Sequence, residues 1–492
     1  MNKNTLFESI GHLDEELLLR SEQNKQSEYQ INQIYRKKRK KQRLFLALAG
    51  VFTLTMIGGY FLYPKTIPST TTTPLMAPKT IFAAEYPTIS PYPVEDSDTF
   101  EEQYEAWLES TSKYKNFVPF TSDLKAFFSS SIPQILDDET NRNRIYSPLN
   151  VYLALGMLAE ITDSDSRQQI LDTLHIDSLE TLRTTATNLW NSHYKNDKMS
   201  TSILASSLWL NDTINFTPST LQSLADTYHA SSYQGTMGTD EMNTAFQQWS
   251  KEQTGGLFDE KLDNIELNQD MVMALATTLY FQATWSEKFD TNDTVSDTFH
   301  STTSDITCDF MKESSMGHYY WGNQFGAVSK RLGNTSGTMW FLLPDEGVSV
   351  NDLLHDKQVT YFLLSEDFYT WENSKFLNIN LSVPKFNVSS EMDLIEDLKA
   401  LGITNVFDDK ISDFSPLTDD NKGIYVSKVP HIVGVGIDEE GVTASSFTSL
   451  MMEMGAGMPN DDTIDFVLNR PFLFAIISHS GIPLFVGVVE EP

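Results

Sequence analysis

Cysteine is almost missing from this 492-residue chain; Cys308 is the single copy. No intrachain disulfide can form, so a packed core has to hold the fold together. An extracytoplasmic protein built this way suits a bacterium better than an animal secretory pathway. Cys308 sits in TTSDITCDFMKES and reads as a small buried apolar residue, not a nucleophile. Basic charge is scarce too. The chain has 35 Lys and Arg against 67 Asp and Glu, a net charge of −32. The first 63 residues carry +4 and the rest −36. A surface that acidic argues against nucleic acid and against polyanions such as heparin. It also keeps an exposed protein soluble, and a monomer is expected.

The usual signatures of catalysis are absent. There is no HExxH zinc motif, no GxSxG elbow and no GxxxxGK[ST] phosphate loop. Gly434, Gly436 and Gly441 imitate a dinucleotide loop, but the spacing is wrong and no helix pattern follows. Asp290, Asn292 and Thr294 resemble the opening of a calcium loop without its glycine or closing Glu, and read as a solvated turn. The nine histidines show no pair at ligand spacing; His431, on an apolar strand near Ser427, reads as a satisfied core histidine. No catalytic residue, metal site or cofactor is expected, and a surface hydrolase would need a nucleophile–base pair that the sequence does not display.

What is present begins with RKKRKKQR (Arg36–Arg43) and the uncharged run LFLALAGVFTLTMIGGYFLY (Leu44–Tyr63). Twenty helical residues at about 1.5 Å each cross about 30 Å of hydrocarbon. A cleaved signal peptide is a poorer fit, because the run is long, 43 residues precede it and no small-x-small site follows closely. The basic cluster puts residues 1–43 in the cytoplasm and everything after 63 outside, as a single-pass protein of the cell membrane. Residues 64–112 are rich in Pro and Thr and read as an extended, semi-stiff spacer.

From residue 113 to 492 the pattern changes. FTSDLKAFFSSSIPQIL, PLNVYLALGMLAEI and DSRQQILDTL have helical spacing, the second introduced by Ser147-Pro148. TSILASSLWL and MVMALATTLYFQATW read as strands buried on both faces. GTMWFLLP, FLNINLSVPKFNV and PFLFAIISHSGIPLFVGVV are further strands, the last a hairpin turning at HSGIP. Helices come early and strands late without βαβ alternation, which predicts a mixed α+β fold.

Several segments in order resemble the serpin family. NRIYSPLNVYLALGMLAE, QQWSKEQTGG around Trp249, TTLYFQATWSEKFD with Trp285, VPKFNV, LGITNVFDD, DFSPLTD, IYVSKVPHIVGVGIDEEGVTA and NRPFLFAIISHSGIPLFVGVVEEP carry the likeness, over about residues 113–492. The resemblance implies a large mixed central sheet ringed by helices and a mobile reactive-centre loop. It implies an inhibitor of serine or cysteine proteases that is cleaved in the loop, traps the acyl-enzyme and inserts the loop as a central strand. It places a shutter at Ser147, Thr277 and His431, and a breach at Trp285 and the ion pair Lys385–Glu439. Two positions depart from the pattern: Thr277 stands where the family has Asn, and Asn150 where it has Ser. The alternative is a non-inhibitory serpin acting as a surface binding module.

The loop itself, GIDEEGVTASSFTSL onward, can be judged as a future strand. With period two, Val442, Ala444, Ser446, Thr448, Leu450 and Met452 share one face without charge, Pro or Gly. Gly441 supplies backbone freedom beside the Glu439 anchor. Family spacing puts the scissile bond at Gly455-Ala456, with Met452, Glu453, Met454 and Met458 as alternatives. No basic residue lies between Gly441 and Asn469, so an elastase-like or subtilisin-like protease is expected and not a trypsin-like one.

Overall fold

The computed structural model describes residues 78–93, 99–112, 121–137, 140, 142–197, 200–254, 265–333, 336–365, 368–419, 423–442 and 462–492. The apolar run 44–63, the loop positions Ala444, Ser446 and Thr448 and every scissile candidate lie outside them. Among the described residues no helix is long and apolar enough to cross a membrane.

Ten helices are described: α1 (Phe100–Ser112), α2 (Ser122–Leu136), α3 (Pro148–Ile161), α4 (Ser164–Thr173), α5 (Leu179–His193), α6 (Pro218–Tyr228), α7 (Asp240–Gln253), α8 (Val350–His355), α9 (Lys357–Leu363) and α10 (Ile395–Ala400). The strands are β1 (Lys79–Phe82), β2 (Arg144–Tyr146), β3 (Lys195–Asn196), β4 (Ser200–Asn211), β5 (Ala230–Gly235), β6 (Met273–Thr284), β7 (Val295–His300), β8 (Asp305–Trp321) and β9 (Phe325–Leu332). They continue with β10 (Gly337–Pro344), β11 (Ser374–Pro384), β12 (Phe386–Asp393), β13 (Pro430–Ile437), β14 (Gly441–Val442), β15 (Thr463–Val467), β16 (Phe472–Ile477) and β17 (Pro483–Val489). Local chemistry sets the helix starts. Thr121 and Ser178 accept a backbone N–H at the starts of α2 and α5, and Pro148 occupies the first turn of α3.

The strands form two sheets. Sheet one runs β1-β5-β4-β6-β14-β13-β12, with β3 beside β4; sheet two runs β15-β11-β8-β9-β10-β16-β17-β2, with β7 beside β8. Helix α3 lies between them, touching β6 of one and β17 of the other. It is buried on nearly every side, from Leu149 and Tyr152 to Ala159 and Ile161, which is why its sequence is apolar all round.

Three expectations change. FLNINLSVPKFNV is two strands, not one: β11 belongs to sheet two and β12 to sheet one, the chain crossing over at Pro384-Lys385. Pro cannot continue a ladder, so the change of sheet falls there. β6, expected to be buried on both faces, is only half-buried from Met273 to Tyr280; among the described residues no strand pairs with it there on the side facing β13. Cys308 is half-buried, not buried; burial first, then Asp309 and Asp297, push its thiol up.

The reading of 64–112 as an extended spacer does not hold for its described part. Residues 79–82 add β1 to the edge of sheet one, antiparallel to β5, and 100–112 form α1. Ile81, Phe82, Tyr86 and Ile89 pack against the main core, so apolar burial docks a segment whose Pro and Thr content had suggested solvation.

Candidate strand slot and loop hinge

Sheet one is two blocks. In one, β4 and β6 pair antiparallel from Ser200↔Ala283 to Leu210↔Met273. In the other, β12 and β13 pair from Phe386↔Ile437 to Asp393↔Pro430. Among the described residues only β14 joins them. Gly441 pairs with Thr284, and Val442 pairs with Ala283 on one side and Ile437 on the other. The first two residues of the loop therefore already form a central strand. Val442 is buried. A Cβ on Gly441 would lie 2.2 Å from the Ala283 carbonyl oxygen, so only glycine fits where the backbones come this close. Below β14 a cavity opens between the blocks, lined by Ser147, Asn150, Thr278, Tyr280, Gly434 and Val442 among others.

Ser147 and Asn150, which line this cavity, contact the other shutter residues. The Ser147 N–H donates to His431 Nε2 at 3.1 Å, and its Oγ donates to the Leu484 carbonyl at 2.8 Å, tying α3 to both sheets. Asn150 Nδ2 donates to the Thr277 carbonyl at 3.3 Å. The substituted pair is thus in contact, through the Thr277 backbone. His431 is buried with Tyr146 edge-on at 5.7 Å, and burial lowers its pKa to about 4. A neutral ring accepting one N–H is the satisfied core histidine that its sequence context suggested.

The breach surrounds the hinge. Trp285 is 2 % exposed; its N–H donates to the Glu440 carbonyl at 3.0 Å and its Nε1 to the Asp438 carbonyl at 2.8 Å. Lys385 Nζ lies 2.7 Å from Glu439 Oε1, as the family pair requires, and Thr294 Oγ1 donates to the same oxygen at 2.7 Å. Burial pushes the Glu439 carboxyl up, but the bonds from Lys385 and Thr294 outweigh it and hold the group below its usual value. Two further pairs were not legible in the sequence. Lys288 pairs with Glu440, and buried Lys330 pairs with Glu313 while its ammonium lies 4.1 Å from the Phe289 ring centre. Nothing local marks Lys330, which sits on β9, remote in sequence from the hinge. Asp290 accepts the Asn292 N–H in a 3-10 turn, as a solvated turn would.

A serine–histidine cluster also lies at the end of α5. His193 Nδ1 donates to the Leu189 carbonyl at 2.7 Å, leaving Nε2 to accept from Ser478 or Ser480 at 3.1 and 3.2 Å. The ring is buried and burial lowers its pKa to about 4, a poor general base. A carbonyl, not a carboxylate, orients it. The contact ties the end of α5 to the β16–β17 turn.

Comparison with known proteins agrees with this geometry. The family model described as Serpin (serine protease inhibitor) matches residues 123–492. An alpha-1-antitrypsin-like protein of Ictidomys tridecemlineatus is 29% identical over 75% of this chain and 87% of its own length. The human leukocyte elastase inhibitor is 26% identical over 71% of this chain and 93% of its own. The native structure of the thermophilic serpin tengpin superposes with a TM-score of 0.65 at 26% identity, covering 75% of this chain and 93% of that one. With two mixed sheets, a buried shutter, an ion-paired breach and a family match over three quarters of its length, this chain belongs to the serpin family.

Proposed function

We propose that this protein inhibits serine or cysteine proteases at a cell surface by loop cleavage, acyl-enzyme trapping and insertion of the loop into sheet one. The observation that carries the reading is the seating of Gly441-Val442 between β6 and β13, above an open slot. Strand pairing has been nucleated, and the uncharged face continuing through Ala444, Ser446 and Thr448 suits burial over α3. Family relatives named as protease and elastase inhibitors support the partner class, and the absence of basic residues after Gly441 favours elastase-like or subtilisin-like enzymes. The run Leu44–Tyr63 supports a single-pass anchor with the inhibitory domain outside, and the lone cysteine suits a bacterial surface.

The test is a denaturing gel after mixing the ectodomain with subtilisin or pancreatic elastase. A covalent adduct of summed mass is expected, and mass spectrometry of the released C-terminal peptide locates the scissile bond. Clean loop cleavage without adduct across a panel of serine and cysteine proteases would contradict inhibition and leave a surface binding module. Anchoring is tested separately: membrane fractionation should retain the full chain and release one lacking residues 1–63.

A further inference from the structure

Inward positions on a strand are normally apolar. Burial alternates along the end of β9: Val328, Lys330 and Leu332 are buried, while Ser329 and Arg331 are exposed. Lys330 thus occupies a core position, 6 % exposed. Burial pushes its ammonium pKa down, against the pull of Glu313 and Glu287. A buried ion pair seldom repays its desolvation, and an apolar residue of similar size would be about as stable there. Stability alone therefore gives no reason for a lysine at this position. Its surroundings do. The ammonium pairs with Glu313 of β8, and it lies 4.1 Å from the Phe289 ring centre and 5.7 Å from that of Trp285. The two rings meet edge to face at 5.9 Å.

Both rings belong to the segment 284–289 that follows β6, and this segment is bonded in two directions. Towards sheet two, the Gly333 N–H donates to the Thr284 carbonyl at 2.8 Å and the Ser286 N–H to the Arg331 carbonyl at 3.0 Å, while Trp285 bridges Leu332. Towards the hinge, the Trp285 N–H donates to the Glu440 carbonyl at 3.0 Å, its Nε1 to the Asp438 carbonyl at 2.8 Å, and the Phe289 N–H to the Glu439 carbonyl at 3.2 Å. Three successive carbonyls of the turn into β14 are held by the two residues whose rings lie against Lys330. An alkyl chain would pack against these rings without preferring an orientation, whereas a desolvated cation is drawn to a ring face and so fixes its place.

We propose that Lys330 is a positioning residue for the loop hinge: held by Glu313 in sheet two, it fixes the rings of Trp285 and Phe289 and, through their N–H groups, the turn 438–440 and the seated Gly441-Val442. Its effect on inhibition rests on the insertion reading above. A seated hinge lets the cleaved loop enter at once. A loose one gives water time to hydrolyse the acyl bond, releasing active protease and nicked inhibitor.

The test uses the full chain. Lys330→Met with Glu313→Gln removes the cation without leaving a carboxylate unpaired, and Lys330→Arg keeps a cation. Hydrogen exchange of peptides covering 438–442 is read without protease, with β10 and β16 as internal controls. Exchange at the hinge should be about tenfold faster in the double variant, with the controls unchanged, and Lys330→Arg should restore most of the protection. With pancreatic elastase, the ratio of adduct to plain cleavage product should fall in the same order. Phe289→Leu keeps the ion pair but removes the ring, and should loosen the hinge likewise; it decides the matter if the double variant does not fold. Parental exchange at 438–442 in these variants, whatever happens to the urea midpoint, would overturn the proposal and leave Lys330 a packing residue. Absence of any adduct with the parent would sink the inhibitor reading instead, since hinge exchange is scored independently of it.

Discussion

The two sheets solve opposite problems. Sheet two is closed by continuous ladders: β11 and β8 pair over eleven positions from Ser374↔Tyr320 to Pro384↔Phe310, and β16 and β17 are buried throughout. Sheet one is interrupted at its centre, where a two-residue strand joins blocks whose own ladders run to eleven and eight pairs. Hydrogen bonds and buried area are thus spread unevenly within one fold. Among the described residues the strands of sheet two form an unbroken series, while β14 alone links the two blocks of sheet one, beside Trp285 and the Lys385–Glu439 pair. Local stability follows this distribution of contacts, and the half-buried β6 belongs at its low end.

The sharpest way to break the contrast is at Gly441. Gly441→Val drives a side chain into the β6 backbone, so β14 should leave the sheet. The expected result is a shift from adduct to plain cleavage product by about tenfold or more on a gel, with sheet two unperturbed. Next in size is Trp285→Ala, which empties a buried indole and removes its Nε1 hydrogen bond to the Asp438 carbonyl; a loss of about 3–5 kcal/mol in urea unfolding is expected.

Acid should act next. His431 is held neutral with a pKa near 4 against an ordinary value of 6.5. The unfolded chain takes up its proton first, so stability falls as pH drops from about 6.5 towards 4, by up to about 3 kcal/mol. His193 is held near 4 in the same way, so His431→Gln, which keeps an acceptor for the Ser147 N–H, should remove only the His431 share of that fall, about half of what the two rings contribute together. Glu439 works at lower pH. Its carboxyl is depressed, so its contribution is complete above the ordinary carboxylate range and is lost as pH falls through its folded value. Glu439→Gln should cost about 1–2 kcal/mol, whereas Lys288→Ala, which breaks a more exposed pair with Glu440, should cost under about 1 kcal/mol. Equal costs would mean that the breach pairs do not differ in burial as described.

Much of the fold was legible because its signals are local or period-based. The all-round apolar α3, the β16–β17 hairpin with its turn at Gly481, and the ordered motifs from Asn143 to Pro492 all read directly. The Lys385–Glu439 pair was named only through the family likeness, and the contact between Ser147 and His431 was not foreseen. What stayed hidden depends on long-range pairing. No periodicity in residues 79–82 says that they will join β5, some 150 residues away, and the Pro and Thr around them point to a solvated spacer. Likewise, the half-burial of β6 depends on which strands pair with it among the described residues, not on its own apolar sequence. The crossover at Pro384 was marked by proline, but the change of sheet needed the partners to be seen.

The central claim is that sheet one takes the loop as a strand. The most direct measurement is the melting temperature of the ectodomain before and after subtilisin nicks it only within residues 443–461. Insertion should raise the transition by more than about 10 °C, since for large domains each kcal/mol moves it by about 2–4 °C. An unchanged or lower transition in the nicked protein would contradict the account.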